Sequence, residues 1–215
     1  MTYNLSASRL NLFQDCPRCF WLAMIKNVKR PSGPMSSIPI KMDSIIKNYF
    51  DKYRAIGELP PIIAGQITGR LPKNMPKTLQ HEEDNGILLW GQPDDYFELE
   101  GGAMAPFDHK TKSKPPKDIH PAYRLQLDIY SYLMQMNDYK TANMAFLAFY
   151  FPDDSELHNG MNLHCTVVEV NTNPHHIKEL INTAMDVLTG SIPRRGENCE
   201  YCKWVEKIHG INNQI

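Results

Sequence analysis

The chain has 215 residues, 42% of them hydrophobic, with 23 Lys and Arg against 24 Asp and Glu and a formal charge of -1. That content supports a packed core in one domain spanning residues 1–215, with at most a small appended lobe, and it leaves any nucleic-acid binding to local basic patches. No apolar run reaches membrane-span length and no apolar leader opens the chain, so a cytoplasmic protein with no membrane partner is the expectation.

In chain order, Ser6 or Ser8 can cap a short helix carrying Leu10, Leu12 and Phe13, which runs into Cys16-Pro17-Arg18-Cys19-Phe20-Trp21-Leu22. Residues 31–38 read as a linker. Helical periodicity resumes through Ile40, Ile45, Ile46, Tyr49, Phe50 and Tyr53 and closes near Gly57, with Asp43 on a face beside Ile46 and Lys47. Residues 58–86 are rich in Pro, Gly and Lys with little periodicity, which predicts a long loop with short helical pieces. His81 and Glu82 read as exposed charges ahead of a strand at Ile87–Trp90.

The densest chemistry lies between Gly91 and Tyr130. Asp95 to Glu100 alternates like a strand, Gly101-Gly102 supplies a tight turn, and Ala103 to Thr111 returns as the second strand of a hairpin. Side chains two apart on a strand share a face, so Asp108 and Lys110 point one way and His109 the other, with Asp94 across the hairpin. A helix from about Ile119 to Asn137 buries Leu125, Ile129, Leu133 and Met136 and carries Tyr123, Gln126 and Tyr130 on a neighbouring stripe. Two carboxylates and a lysine suit metal-assisted hydrolysis. Asp94 and Asp108, completed by the His109 carbonyl, can hold a hard divalent cation, and Lys110 can position water or stabilise charge on phosphate. Lys112, Lys114, Lys117 and Arg124 beside them would attract a phosphate backbone, or form an ordinary solvated loop.

Asn143 to Phe151 is near-continuously apolar, as in a central strand covered on both faces. Pro152 to Asn162 is a turn, and Leu163 to Val170 a further strand carrying Cys165 as a buried thiol. Asn173-Pro174 starts a helix with Ile177, Leu180, Ile181, Ala184 and Leu188 inward, ended by Gly190. The fold class is α/β, a mixed sheet flanked by helices.

The pattern Gly91-x-x-Asp94, Asp108-x-Lys110, Gln126-x-x-x-Tyr130 resembles the PD-(D/E)XK nuclease superfamily, in its RecB-like branch. The resemblance implies a restriction-endonuclease-like core in which the two acids bind Mg2+ or Mn2+, the lysine serves the water, and the Gln and Tyr line the site and contact DNA. Residues 58–86 would then wall the DNA channel. The family's helix histidine that faces the metal is absent here. Asp43 is its nearest substitute, the alternative being a solvated helix carboxylate.

Ser6, Ser8, Leu10, Cys16, Pro17, Arg18 and Phe20 also match the opening of RecB-like nucleases that carry an iron–sulfur cluster, among them CRISPR-associated RecB-like exonucleases and AddB subunits. Cys16-x-x-Cys19 pairs naturally with Cys199-x-x-Cys202, so that residues 6–30 and 191–210 form a cysteine-bound metal lobe joining the two termini. Four thiolates suit a [4Fe–4S] cluster or structural zinc, and the resemblance favours the cluster. Its usual arrangement is one cysteine upstream and three downstream, however. Here there are two and two, with Ile208 or His209 near the place of the last.

The expected function is a metal-dependent DNA nuclease, an exonuclease on single strands or strand ends, in CRISPR adaptation with the proteins of that process as partners. The alternatives are a phage or mobile-element recombination or repair nuclease with endonuclease action, and a DNA-binding module without catalysis.

Overall fold

The structure is a computed structural model that describes residues 2–34 and 36–212, the side chains of residues 159, 211 and 212 excepted. Its elements are β1 (Tyr3–Leu5), α1 (Ala7–Asp15), α2 (Pro17–Ile25), α3 (Ser37–Ile56), β2 (Leu79–Glu82), β3 (Ile87–Gly91), β4 (Asp95–Glu98), β5 (Met104–Thr111), α4 (Pro121–Met136), β6 (Met144–Pro152), β7 (Leu163–Asn171), α5 (His175–Thr189) and α6 (Glu200–Asn212). They fall into two compact units: Met1–Pro34 with Glu82–Leu89 and His175–Ile215, and Met35–His81 with Trp90–Pro174.

Alternation along β6 sets the layering of the second unit. Phe146, Ala148 and Tyr150 enter a core with Ile46 and Phe50 of α3 and Phe97, Ala105 and Phe107 of the hairpin. Ala145, Leu147 and Phe149 face the other way and join Leu127 and Tyr130 of α4. Successive strand side chains point to opposite faces, so this sheet is covered on both sides, as the apolar run predicts. Strand order is β4-β5-β6-β7. β4–β5 and β6–β7 are antiparallel and β5–β6 parallel, with Asp108 opposite Leu147 and Lys110 opposite Phe149. The hairpin turn uses Gly101 and Gly102 at φ 79° and 77°, a region closed to most side chains.

In the first unit α5 lays Ile177, Ile181, Ala184 and Leu188 inward, all fully or nearly fully buried. α1 and α2 pack on it, with the Phe13 and Phe20 rings 5.2 Å apart. β1 pairs in parallel with β3, Tyr3 opposite Ile87 and Leu5 opposite Leu89. No described helix is long and apolar enough to cross a membrane.

Several expectations are corrected. The linker ends at Ser36, which holds the N-cap position of α3 without a side-chain capping bond, and its Met35 lies outside the described residues. Ile40 and Ile45 are 56% and 47% exposed, whereas Met42, Ile46 and Phe50 make the face of α3 that packs on the core. Met136, the last residue of α4, is 40% exposed, whereas Leu127 is fully buried. Residues 79–82 form a strand inside the predicted loop, and His81 is half-buried there, its ring against Tyr132. Cys165 is only half-buried, opposite Tyr150. Ser6 holds the N-cap position of α1, but its hydroxyl pairs with Ser8 instead of a backbone N–H.

Candidate active site

The register of β5 turns Asp108 and Lys110 towards α4 and His109 towards α3. Lys110 Nζ ion-pairs with Asp108 Oδ2 and donates to Gln126 Oε1 at 3.0 Å. The ammonium also lies 4.8 Å from the centre of the Tyr123 ring. One helical turn on, Gln126 Nε2 donates to the Tyr130 hydroxyl at 2.8 Å, and that hydroxyl donates to the Gln92 carbonyl at 3.1 Å. Tyr130 is 5% exposed, so it supports Gln126 from beneath. Gly91 makes room for it: a Cβ there would stand 2.8 Å from the ring.

Asp94 precedes β4, where the antiparallel ladder has ended. Its Oδ2 accepts the His109 N–H at 3.1 Å, and its Oδ1 lies 2.9 Å from Lys47 Nζ. The neighbouring Asp95 turns away, into a 2.6 Å ion pair with Arg54, which also donates to the Pro72 carbonyl. Of the two adjacent acids, therefore, only Asp94 joins Asp108. The His109 ring is buried against Phe50 and Phe107, with Nδ1 3.1 Å from the Tyr150 hydroxyl, and takes no part in the site. An N–H and C=O of one strand residue point the same way, so the His109 carbonyl faces the Asp94 side.

The electrostatics separate the two acids. Burial, only partly offset by Lys110 and reinforced by Asp94, raises the Asp108 carboxyl to about 7. Burial also raises that of Asp94, but the Lys47 ammonium and the His109 N–H more than reverse it, leaving it below the usual range. Burial lowers the His109 imidazole to about 4. A buried and a half-buried carboxylate that repel one another fit a hard divalent cation in both donor type and charge demand.

Asp43 is not gathered with Asp94 and Asp108 into one ligand set among the described residues. It is 3.0 Å from Lys47 Nζ and reaches Asp94 only through that lysine. Lys47 is the residue that sequence reasoning passed over. The available signal was its position, four residues after Asp43 and one after the buried Ile46. A cleft of about 600 Å³ opens beside Asp94 and is lined by Lys47, Arg54, Lys73 and Lys77 among others, the last two from the 58–86 segment. Lys112, Lys114, Lys117 and Arg124 are all exposed, Lys112 lying 5.2 Å from the Tyr123 ring centre.

In the first unit, all four predicted cysteines meet and are buried, with their sulfurs within 4.8 Å of one another. Cys16 caps α2, with Pro17 at the first helical position. Its Sγ receives the N–H of Cys19 at 3.5 Å and of Gly196 at 3.2 Å. These bonds outweigh burial and bring its thiol down to about 7, whereas burial keeps those of Cys19 and Cys202 high. Arg30, also missed from sequence, donates to Cys199 Sγ at 3.2 Å and pairs with Asp15. Such a group can bind a metal ion.

Solved structures show a similarity at low identity. One is "Crystal structure of SSO0001", at 16% identity and TM-score 0.47, covering 96% of this chain and 85% of that one. Another is "Crystal Structure of LHK-Exo in complex with dAMP", at 14% identity and TM-score 0.41, covering 98% and 93%. No curated protein matches. The profile of the PD-(D/E)XK nuclease superfamily matches residues 52–206, a span that holds Asp94, Asp108, Lys110, Gln126 and Tyr130. By that match over most of its length, the chain belongs to the PD-(D/E)XK nuclease superfamily.

Proposed function

We propose that the chain is a divalent-metal-dependent deoxyribonuclease of the RecB-like branch, working as an exonuclease on single strands or DNA ends, with CRISPR adaptation as its setting. The observation that carries the catalytic part is the convergence of Asp94, Asp108 and Lys110, with Gln126 and Tyr130 behind the lysine. The single-strand, exonuclease and CRISPR parts rest on the sequence resemblance.

Mg2+ or Mn2+ held by Asp94, Asp108 and the His109 carbonyl would supply Lewis acidity towards the scissile phosphate. The chain's own residues do the rest. Asp108 fixes one side of the Lys110 ammonium and Gln126 the other, so Nζ has a single position from which to orient a water or hold phosphate charge. Tyr130 locks Gln126 by tying it to the Gln92 backbone. The cationic wall of Lys73 and Lys77 draws the backbone of a strand towards Asp94.

End-labelled single- and double-stranded DNA, incubated with the protein and Mg2+ or Mn2+, tests this reading. Metal-dependent degradation is expected, lost in Asp108→Asn, with a product ladder growing from one end. Internal cuts in a circular substrate would move the reading to an endonuclease of phage or mobile-element recombination or repair. The catalytically silent DNA-binding module has one observation in its favour, the Lys47 ammonium already paired with Asp94. Binding without cleavage in either metal would establish it.

A further inference from the structure

We infer that the four cysteines hold one tetrahedral zinc ion and not the iron–sulfur cubane that the sequence resemblance implies. Cys19 Sγ lies 3.6 Å from both Cys199 Sγ and Cys202 Sγ, and Cys16 Sγ lies 3.9 Å from Cys202 Sγ. With zinc–sulfur bonds of about 2.3 Å, the edge of a tetrahedron of sulfurs is about 3.8 Å, which these distances match. A cubane carries each thiolate on a different iron, at outward corners roughly 6 Å apart, and needs a correspondingly larger cavity. The sulfurs here all lie within 4.8 Å of one another.

The surroundings are built to the smaller size. Gly196 brings its N–H onto Cys16 Sγ only because it lacks a side chain: a Cβ there would stand 2.5 Å from the Asp15 carbonyl and 3.2 Å from Cys16 Cα. Four thiolates around Zn2+ leave two net negative charges. Arg30, donating to Cys199, offsets one, and the N–H groups of Cys19 and Gly196 stabilise sulfur charge on Cys16. Two Cys-x-x-Cys pairs from opposite ends of the chain form the four-cysteine pattern of structural zinc. Ile208 and His209, near the place of a relative's last cysteine, lie on α6 and outside the ligand set. None of this uses the carboxylate site, so the inference stands or falls apart from the nuclease reading.

The test is elemental and acid-labile sulfide analysis of full-length protein purified anaerobically without chelator, before and after incubation with iron and sulfide. One zinc per chain is expected, with no sulfide retained after incubation and X-ray absorption showing four sulfurs at about 2.3 Å. Exchange with Co2+ should give the visible bands of a tetrahedral thiolate site. His209→Ala, which disturbs no buried group, should keep full zinc. Four irons and four sulfides per chain, before or after incubation, would overturn the inference, as would failure to hold either zinc or cobalt. Zinc lost in His209→Ala would overturn the two-and-two ligand set.

Discussion

In the carboxylate site each acid has its own ammonium, Lys47 on Asp94 and Lys110 on Asp108. Among the four cysteines a single guanidinium, Arg30, faces four sulfurs, helped by the N–H groups of Cys19 and Gly196 on Cys16. The first arrangement is held together by the chain itself and can exchange a hard cation with solvent. The second packs soft ligands so closely that an ion held there would become part of the fold. On the readings proposed above, the chain would hold two metals in two different ways, one serving chemistry and one serving structure.

The largest effect that follows is on the cysteines. Cys199→Ser should abolish zinc retention and cooperative melting of the first unit, since structural zinc contributes on the order of 10 kcal/mol to folding. Calorimetry with and without a strong chelator checks it. A variant with an unaltered transition would reduce the cluster to ordinary buried thiols. Next comes chemistry. Asp108→Asn and Lys110→Met should each lower cleavage by about 10³-fold with the circular dichroism spectrum unchanged, the scale of losing one preorganised electrostatic group. Wild-type rates in either variant would remove Asp108 and Lys110 from the site.

The reach of the sequence divides along the same line as the two sites. The hairpin, the face shared by Asp108 and Lys110, and the stacking of Gln126 over Tyr130 were legible because each depends on a local period, two on a strand and nearly four on a helix. The meeting of the cysteines was legible from paired spacings. Lys47 was not, because a helix lysine followed by a half-apolar face looks solvated until Asp94, nearly fifty residues on, is folded against it. β1 is three residues long and is fixed by β3, more than eighty residues away, so no local pattern announces it. α6 was hidden by Cys202 within it and Cys199 just before it, which read as ligands while the helical period around them, with Tyr201, Trp204 and Val205 exposed, stays weak.

A smaller effect concerns pH without divalent metal. His109 titrates near 6.5 unfolded and about 4 folded, so the folded state binds fewer protons and stability falls as pH drops from 6.5 to 4, by about 3 kcal/mol. Asp108 is displaced upward, from 3.8 to about 7, so over nearly the same window it adds stability as pH drops. The two oppose one another within one strand. Denaturant unfolding in EDTA should show the wild type changing by only about 1 kcal/mol between pH 6.5 and 4, and Asp108→Asn losing about 3. Parallel profiles for the two proteins would refute the pairing. Gly91→Ala, which drives a methyl into the Tyr130 ring, should cost about 2 kcal/mol. Tyr130→Ala in the same chain should relieve the clash, which double-variant unfolding measures.

The smallest effect separates two roles for Asp43. A divalent ion at Asp94 must displace the Lys47 ammonium, which is 2.9 Å from Asp94 and 3.0 Å from Asp43. Asp43 sits one helical turn back and offers the displaced ammonium a partner. Lys47→Met removes the competitor and should tighten Mn2+ by about 5-fold, the scale of a partly exposed ion pair. Asp43→Asn leaves Lys47 with Asp94 alone and should weaken Mn2+ by a similar factor. A direct metal ligand would give the same weakening, so the double variant decides. If Asp43 acts through Lys47, Asp43→Asn has no effect on Mn2+ affinity once Lys47 is methionine. If it ligates the ion in place of the family's histidine, the loss persists undiminished.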